Sequence, residues 1–266
     1  MGPVNWQDRL RKALLPYYKD APDNIKSLAR RTFGVLQGPL FSRRARWVQS
    51  VYSAHAANEW EYLFLCIARF ANVNRPIEGY YMEFGCHGAN TMRKAYDCFH
   101  HLFDWHYIAF DSFEGLPEIA EIDRQEVWQK GKLRTEEETF VTVCRRHGIP
   151  ADRLRTVKGF YSESLTPKLA QELLPKKAAV VYVDCDLYVS TVPVLSWIAD
   201  FLQLGTIIVF DDWNCFYGDP ERGERKAWRE FCEAHPQFHF EPFVGTGMQF
   251  SFVCTNIAQT KSDSVS

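Results

Sequence analysis

The sequence predicts an α/β fold. Its centre is a seven-stranded, mostly parallel sheet covered by helices on both faces, with an antiparallel last strand and an N-terminal helical extension. Three observations predict it. From Tyr80 onward, short apolar runs alternate with helical stretches, the pattern of successive βα units. The runs at 178–183 and 205–210 are continuous and rich in β-branched residues, as parallel strands buried on both faces require. Gly245-Thr246-Gly247 joins the last two runs, which suits a closing hairpin.

The elements follow in order. Residues 1–75 read as the helical extension: apolar residues recur at helical spacing over 6–15, 25–33 and 44–71. Pro22, Gly38-Pro39 and Pro76 punctuate these stretches. Arg43, Arg44 and Arg46 cluster there and are expected to solvate a helix face rather than grip an anion. The main domain is 76–258. Strand one is 80–84, followed by a helix over 89–102, and strand two is 106–110. A long polar segment, 112–134, precedes a helix over 136–147. Strand three is 154–157, with a helix near 167–173. Strands four and five are 178–183 and 205–210, joined by a crossover helix within 190–204. A helix over 221–235 leads to the last strands, 238–243 and 248–254. The polar tail 259–266 is expected to fray.

Composition narrows the function classes. With 46% hydrophobic residues in 266, the chain can bury a sizeable core. A net charge of −2 gives no footprint for sequence-independent nucleic-acid binding. The eight cysteines form no CxxC pair, so reduced, buried thiols are expected rather than zinc or a disulfide framework. The N-terminus shows no apolar leader run, and no stretch approaches the roughly 20 apolar residues that cross a bilayer. The expectation is a cytoplasmic protein without a nucleic-acid or membrane partner.

The acidic strand ends are the sharpest signal. Strand four runs into Asp184-Cys185-Asp186, and strand five into Asp211-Asp212-Trp213. One crossover helix separates the two strands, so they are expected to be neighbours about 4.8 Å apart. Their carboxylates would then meet at the C-terminal edge of the sheet, where open α/β sheets bind ligands. Converging acids repel one another unless a hard cation sits among them, and Mg²⁺ is the natural candidate. Asp184, Asp211 and Asp212 are the expected ligands. Asp186 reads instead as the cap of the helix that follows.

Strand one runs into Glu83-Phe-Gly85-Cys86-His87-Gly88 and then a helix. Glycines after a strand let the backbone turn sharply and approach a ligand closely. The spacing is Gly-x-x-Gly, short of the dinucleotide fingerprint, so a ligand without a pyrophosphate fits better. Glu83, near the end of a buried strand, needs compensation, from the ligand or from nearby N–H groups. His87 is expected to pack beside the turn. Asp111 ends strand two, 23 residues past Gly88, close to the offset at which an acid reaches ribose hydroxyls. Glu83, Gly85, Cys86, His87, Gly88, Asp111 and the adjoining Ser112 form the expected cofactor-binding set.

These motifs occur in one order with Asp111-Ser-Phe-Glu-Gly115-Leu-Pro117, Gly159-Phe-Tyr-Ser-Glu-Ser-Leu165 and Asp186-Leu-Tyr188-x-Ser190-Thr191. Over roughly 80–231 the chain resembles the macrocin O-methyltransferase family (TylF, MycF and NovP), within the class I S-adenosylmethionine-dependent methyltransferases. The resemblance implies a Rossmann-like fold, S-adenosylmethionine and Mg²⁺ as cofactors, and methylation of a hydroxyl on a sugar or other polyhydroxylated small molecule. It implies that Asp184 is a metal ligand and also a candidate base, that Asp211 and Asp212 reach the metal, and that Gly85 and Asp111 face the cofactor. Two departures stand out. Cys185 replaces a frequent glycine, and Trp213 replaces a frequent tyrosine, so the family's macrolide sugar is not carried over as substrate.

Methyl transfer from a sulfonium is an in-line displacement, so the protein must align the acceptor oxygen and ease removal of its proton. Besides Asp184, spacing leaves His87, His147 and Glu114 open as bases. The segment 112–134 is long for a βα connection and is expected to form a lid. The N-terminal helices are expected to pair subunits into a homodimer or higher oligomer. A nicotinamide-dependent dehydrogenase is the alternative enzyme, and a non-catalytic cofactor-binding partner protein the alternative outside catalysis.

Overall fold

A computed structural model of the chain describes residues 44, 47–74 and 77–258. The helices expected over 6–15 and 25–33, the residues Arg43, Arg46 and Pro76, and the tail 259–266 lie outside the described residues. A π-helical turn, Val48–Tyr52, leads into helix α1, Ser53–Val73. The compact body of the fold begins at Glu59 rather than at 76. The reason is packing: Leu63, Phe64, Ile67, Ala68 and Ala71 of α1 are buried in the sheet's core. Their spacing of three and four residues puts all five on one helix face.

The sheet has seven strands: β1 Tyr80–Phe84, β2 His106–Asp111, β3 Leu154–Lys158, β4 Ala178–Val183, β5 Ile207–Phe210, β6 Phe238–Gly245 and β7 Phe250–Ile257. Their order is β3-β2-β1-β4-β5-β7-β6. Strands β1 to β5 pair in parallel. Strand β7 is antiparallel to both of its neighbours, as the hairpin signal predicts. The remaining helices are α2 Asn90–Phe99, α3 Glu137–His147, α4 Tyr161–Ser164, α5 Pro167–Leu173, α6 Tyr188–Ile198 and α7 Gly223–Ala234.

Alternation along the strands sends side chains to opposite faces. Tyr81, Tyr107, Ala109 and Tyr182 pack with α1, α2 and α3. Met82, Phe84, Ile108, Phe110, Val181 and Val183 pack with α5, α6 and α7. The central strand β4 is buried along its whole length, which is why its sequence reads as one unbroken apolar run. All eight cysteines are free thiols. Among the described residues, no helix is long and apolar enough to cross a membrane.

The order reverses direction between β1 and β4. That switch point places the ends of β1, β2, β4 and β5 side by side, where open α/β sheets form their ligand crevice.

Candidate active site

The expected neighbours are neighbours. Phe84 pairs with Val183, and Val183 with Phe210. The ladder continues one step beyond the strands. Gly85 N donates to Phe110 O at 2.9 Å, Asp184 N to Phe84 O at 2.8 Å, and Asp211 N to Val183 O at 2.9 Å. Four chain ends therefore leave the sheet together, and a cleft of about 510 Å³ opens over those of β1, β2 and β4, within the size range of small-molecule sites.

The β1 end forms the first half of the cleft. Gly85 has φ +88°, and a Cβ there would lie 1.8 Å from Asp184 O. Only glycine lets β1 and β4 approach at that point. At Gly88 a Cβ would meet only Asn90 Nδ2, at 3.7 Å, so this glycine leaves the rim of the loop open. Asp111 Oδ2 accepts from Cys86 N at 2.8 Å and His87 N at 3.2 Å, and Oδ1 from Phe113 N at 2.7 Å. A carboxylate offers about four acceptor positions. Asp111 thus shapes the glycine loop and keeps capacity for one further donor from the cleft it lines.

Gly85, Cys86, His87, Gly88, Asp111 and Ser112 all line the cleft. Ser112 Oγ is engaged in its own turn, donating to Gly115 O and accepting from Glu114 N. His87 Nδ1 lies 2.7 Å from Leu133 O and 3.1 Å from Thr135 Oγ1, which ties the loop to the far end of the 112–134 segment. Glu83 sits elsewhere. It is wholly buried beneath the loop, bonded by Tyr81 Oη and Thr91 Oγ1, each at 2.7 Å. Burial pushes its carboxyl up to about 8, against the lowering effect of those two hydroxyls. Its compensation comes from within the protein rather than from a ligand.

The second half is acidic. Ligand oxygens of Asp184, Asp186 and Asp212 lie within 4.8 Å of one another. Asp186 therefore belongs to the cluster and is not a helix cap. Its backbone is left-handed, with φ 60°, a conformation aspartate tolerates better than most residues. Its N–H donates to Asp212 Oδ2 at 3.1 Å. The cap comes from Asp123, which is fully buried and accepts from Tyr188 N at 2.7 Å and Val189 N at 3.2 Å. Asp211 stands outside the group of three. Its Oδ1 is taken by Tyr182 Oη, by Trp60 Nε1 at 3.2 Å and by Gln249 Nε2 at 3.0 Å.

The electrostatics follow from this crowding. Burial first, then the charges of Asp211, Asp212 and Asp186, hold the Asp184 carboxyl well above the carboxylate range. Burial and Asp212 do the same to Asp186. Burial, then Asp211, pushes Asp212 up to about 7. Glu224 adds a fifth acid: it is buried, accepts from Asp212 N at 3.0 Å, and is raised by burial and by Asp212. A set of hard oxygen donors that repel one another suits a divalent cation. The donor chemistry fits Mg²⁺.

The segment 112–134 contributes Ser112, Gly115 to Glu118 and Leu133 to the cleft wall and is tied to the body at several points. Leu116 and Lys132 pair through their backbones, Asp123 caps α6, and Arg222 donates to Ile122 O at 3.2 Å and Arg124 O at 2.8 Å. Of the alternative bases, His147 and Glu114 do not line the cleft, whereas His87 and Asp184 do. Sequence reasoning missed Trp60, Asp123, Tyr182, Glu224 and Gln249. Only Tyr182, a hydroxyl inside an aliphatic strand two residues before Asp184, carried a local signal.

A seven-stranded sheet of this order, with a glycine loop after β1 and an acid ending β2, defines a class I methyltransferase. The family model for macrocin O-methyltransferase (TylF) matches residues 50–237, and the chain belongs to that family. It is an S-adenosylmethionine-dependent O-methyltransferase, as the sequence resemblance implies. This decides against a dehydrogenase and against a non-catalytic binding protein. Among solved structures, the O-methyltransferase NovP superposes with a TM-score of 0.60 at 21% identity, over 74% of this chain and 79% of NovP. The calicheamicin methyltransferase CalS11 also gives 0.60, at 20% identity over 95% and 94% of the two chains. The apo structure of CalS11, described as a TDP-rhamnose 3′-O-methyltransferase, gives 0.54 at 18% identity, over 88% of this chain and 95% of CalS11. At these identities the structural likeness shows the fold. Among curated proteins, none matches this chain.

Proposed function

We propose that the chain methylates a hydroxyl of a polyhydroxylated small molecule, a sugar in the first instance, with Mg²⁺ held at the acidic end of the cleft. One observation carries the reading: the carboxylates of Asp184, Asp186 and Asp212 lie within 4.8 Å of one another, and Asp184 and Asp186 line the same crevice as the glycine loop. The TDP-rhamnose activity stated for CalS11 supports a sugar as the acceptor. Free thiols throughout support a reducing, cytoplasmic setting.

Asp184 and Asp212 would hold the cation, with Asp186 beside them and Asp211 contributing charge from behind. When bound, S-adenosylmethionine supplies an activated methyl group, and the cation lowers the pKa of an acceptor hydroxyl. The chain's residues do the rest. Gly85 and Gly88 let the backbone come close to the cofactor, and the remaining acceptor capacity of Asp111 suits a ribose hydroxyl. The wall from Gly115 to Glu118 and the Trp60 side chain enclose the cleft, which limits water and orients the acceptor. Asp184 lies where the glycine loop and the acid cluster meet, which places it to receive the hydroxyl proton as well as to hold the cation.

The test is methyl transfer to a panel of sugars, nucleotide sugars and vicinal diols, with and without Mg²⁺. The expected result is transfer to a sugar hydroxyl that stops on chelation and returns with Mg²⁺. Full activity in a sample shown metal-free by elemental analysis would overturn the metal assignment.

A further inference from the structure

We propose that Trp60, Tyr182 and Gln249 are positioning residues, which clamp one oxygen of Asp211 and thereby set how tightly the acidic site holds a divalent cation. The inference rests on the reading of that site as a Mg²⁺ centre. Asp211 ends β5, directly beside the end of β4 that carries Asp184. Its Oδ1 accepts from Trp60 Nε1 at 3.2 Å, from Gln249 Nε2 at 3.0 Å and from the Tyr182 hydroxyl. A single carboxylate oxygen has two lone pairs. Three donors converging on it saturate it and fix the rotation of the side chain.

The donors come from three separate elements: β4, α1 and the turn that opens β7. Tyr182 and Gln249 are buried, and Trp60 forms part of the cleft wall. The elements are also tied to one another. Glu59 Oε1, one residue before Trp60, accepts from Gly247 N at 3.0 Å, two residues before Gln249. The clamp therefore has a braced frame. None of its three groups is a cation, so it orients Asp211 without cancelling its charge. A neutral, rigid clamp behind a carboxylate is the arrangement by which outer residues tune a metal site. It also makes the site depend on α1, which the glycine and aspartate motifs do not include.

The experiment measures binding of Mn²⁺ alone to the full-length protein, by calorimetry and electron paramagnetic resonance. Trp60→Phe removes the indole N–H but keeps an aromatic ring, and Gln249→Leu removes the amide but keeps its bulk. Each should weaken Mn²⁺ about 10-fold or more, the usual effect of losing an outer-shell partner. Affinity for S-adenosylhomocysteine should stay within about twofold of wild type in Gln249→Leu, since Gln249 does not line the cleft and that ligand is assigned to the β1 and β2 ends. Trp60 lines the cleft, so Trp60→Phe is read by Mn²⁺ alone. Asp184→Asn serves as the reference and should abolish Mn²⁺ binding. The clamp is overturned if Asp184→Asn abolishes binding while both clamp variants hold Mn²⁺ as wild type does. Parallel loss of Mn²⁺ and S-adenosylhomocysteine affinity in Gln249→Leu also overturns it, because that marks a general structural role. If the wild-type protein takes up no Mn²⁺, the reading of the acidic site as a metal centre has failed, and the clamp falls with it.

Discussion

At the scale of single residues, two acids that look alike in the sequence do different work. Glu83 is enclosed by Tyr81 and Thr91, and burial raises its carboxyl to about 8. Its folded value lies above its unfolded one, so the stability it lends is fully present below about pH 4.5 and is lost as pH rises through 8. Across that window the group lowers stability by about 1.4 kcal/mol per pH unit. Glu83→Gln mimics the protonated form and should flatten the fall between pH 5 and 8. Urea unfolding at several pH values in the presence of chelator checks this, and an unchanged slope would show that Glu83 is not the source. Asp111 faces the cleft and accepts three backbone N–H groups. Asp111→Asn turns an amide group toward at least one of those donors. It should weaken S-adenosylhomocysteine binding by on the order of 1–3 kcal/mol, the cost of unmade charged hydrogen bonds. Calorimetry showing wild-type affinity would remove Asp111 from the cofactor site.

At the scale of elements, the 112–134 segment and helix α6 depend on each other. Asp123 caps α6 from a distance of 65 residues in sequence, and Arg222 holds the carbonyls on either side of that cap. Replacing a capping aspartate with alanine costs about 0.5–2 kcal/mol. Asp123→Ala should therefore speed hydrogen exchange in two places at once, the wall segment and the first turn of α6. Faster exchange in the wall alone would mean that the two are not coupled. The first turn of α6 follows directly on Asp186, so the same variant should also weaken Mn²⁺ binding, by less than the loss of a ligand does.

At the scale of the molecule, the switch point between β1 and β4 separates two tasks. The β1 and β2 ends carry the glycine loop and Asp111, and the β4 and β5 ends carry the acids. Damage to one half should therefore spare the other. Asp184→Asn, or removal of metal by a chelator, should abolish methyl transfer while leaving S-adenosylhomocysteine affinity largely intact. Joint loss of both would show that the two halves act as one site.

The sequence by itself determined the strands, their order of use and the residues at their ends. These are local properties: the length of an apolar run, its alternation, and the glycine that must follow it. Gly85 and the acids after β4 and β5 are legible for that reason. Tertiary structure decided which carboxylates meet and what holds them. Asp186 joins Asp184 and Asp212 because its left-handed backbone turns it into the cluster, and no spacing rule announces that dihedral. Asp211 is held by Trp60, 151 residues away, and by Gln249, 38 residues away. Such contacts exist only once α1 has packed its apolar face on the sheet and the hairpin has closed beside β5. The chemistry of a side chain is written in its residue type, whereas its neighbours depend on how distant elements pack.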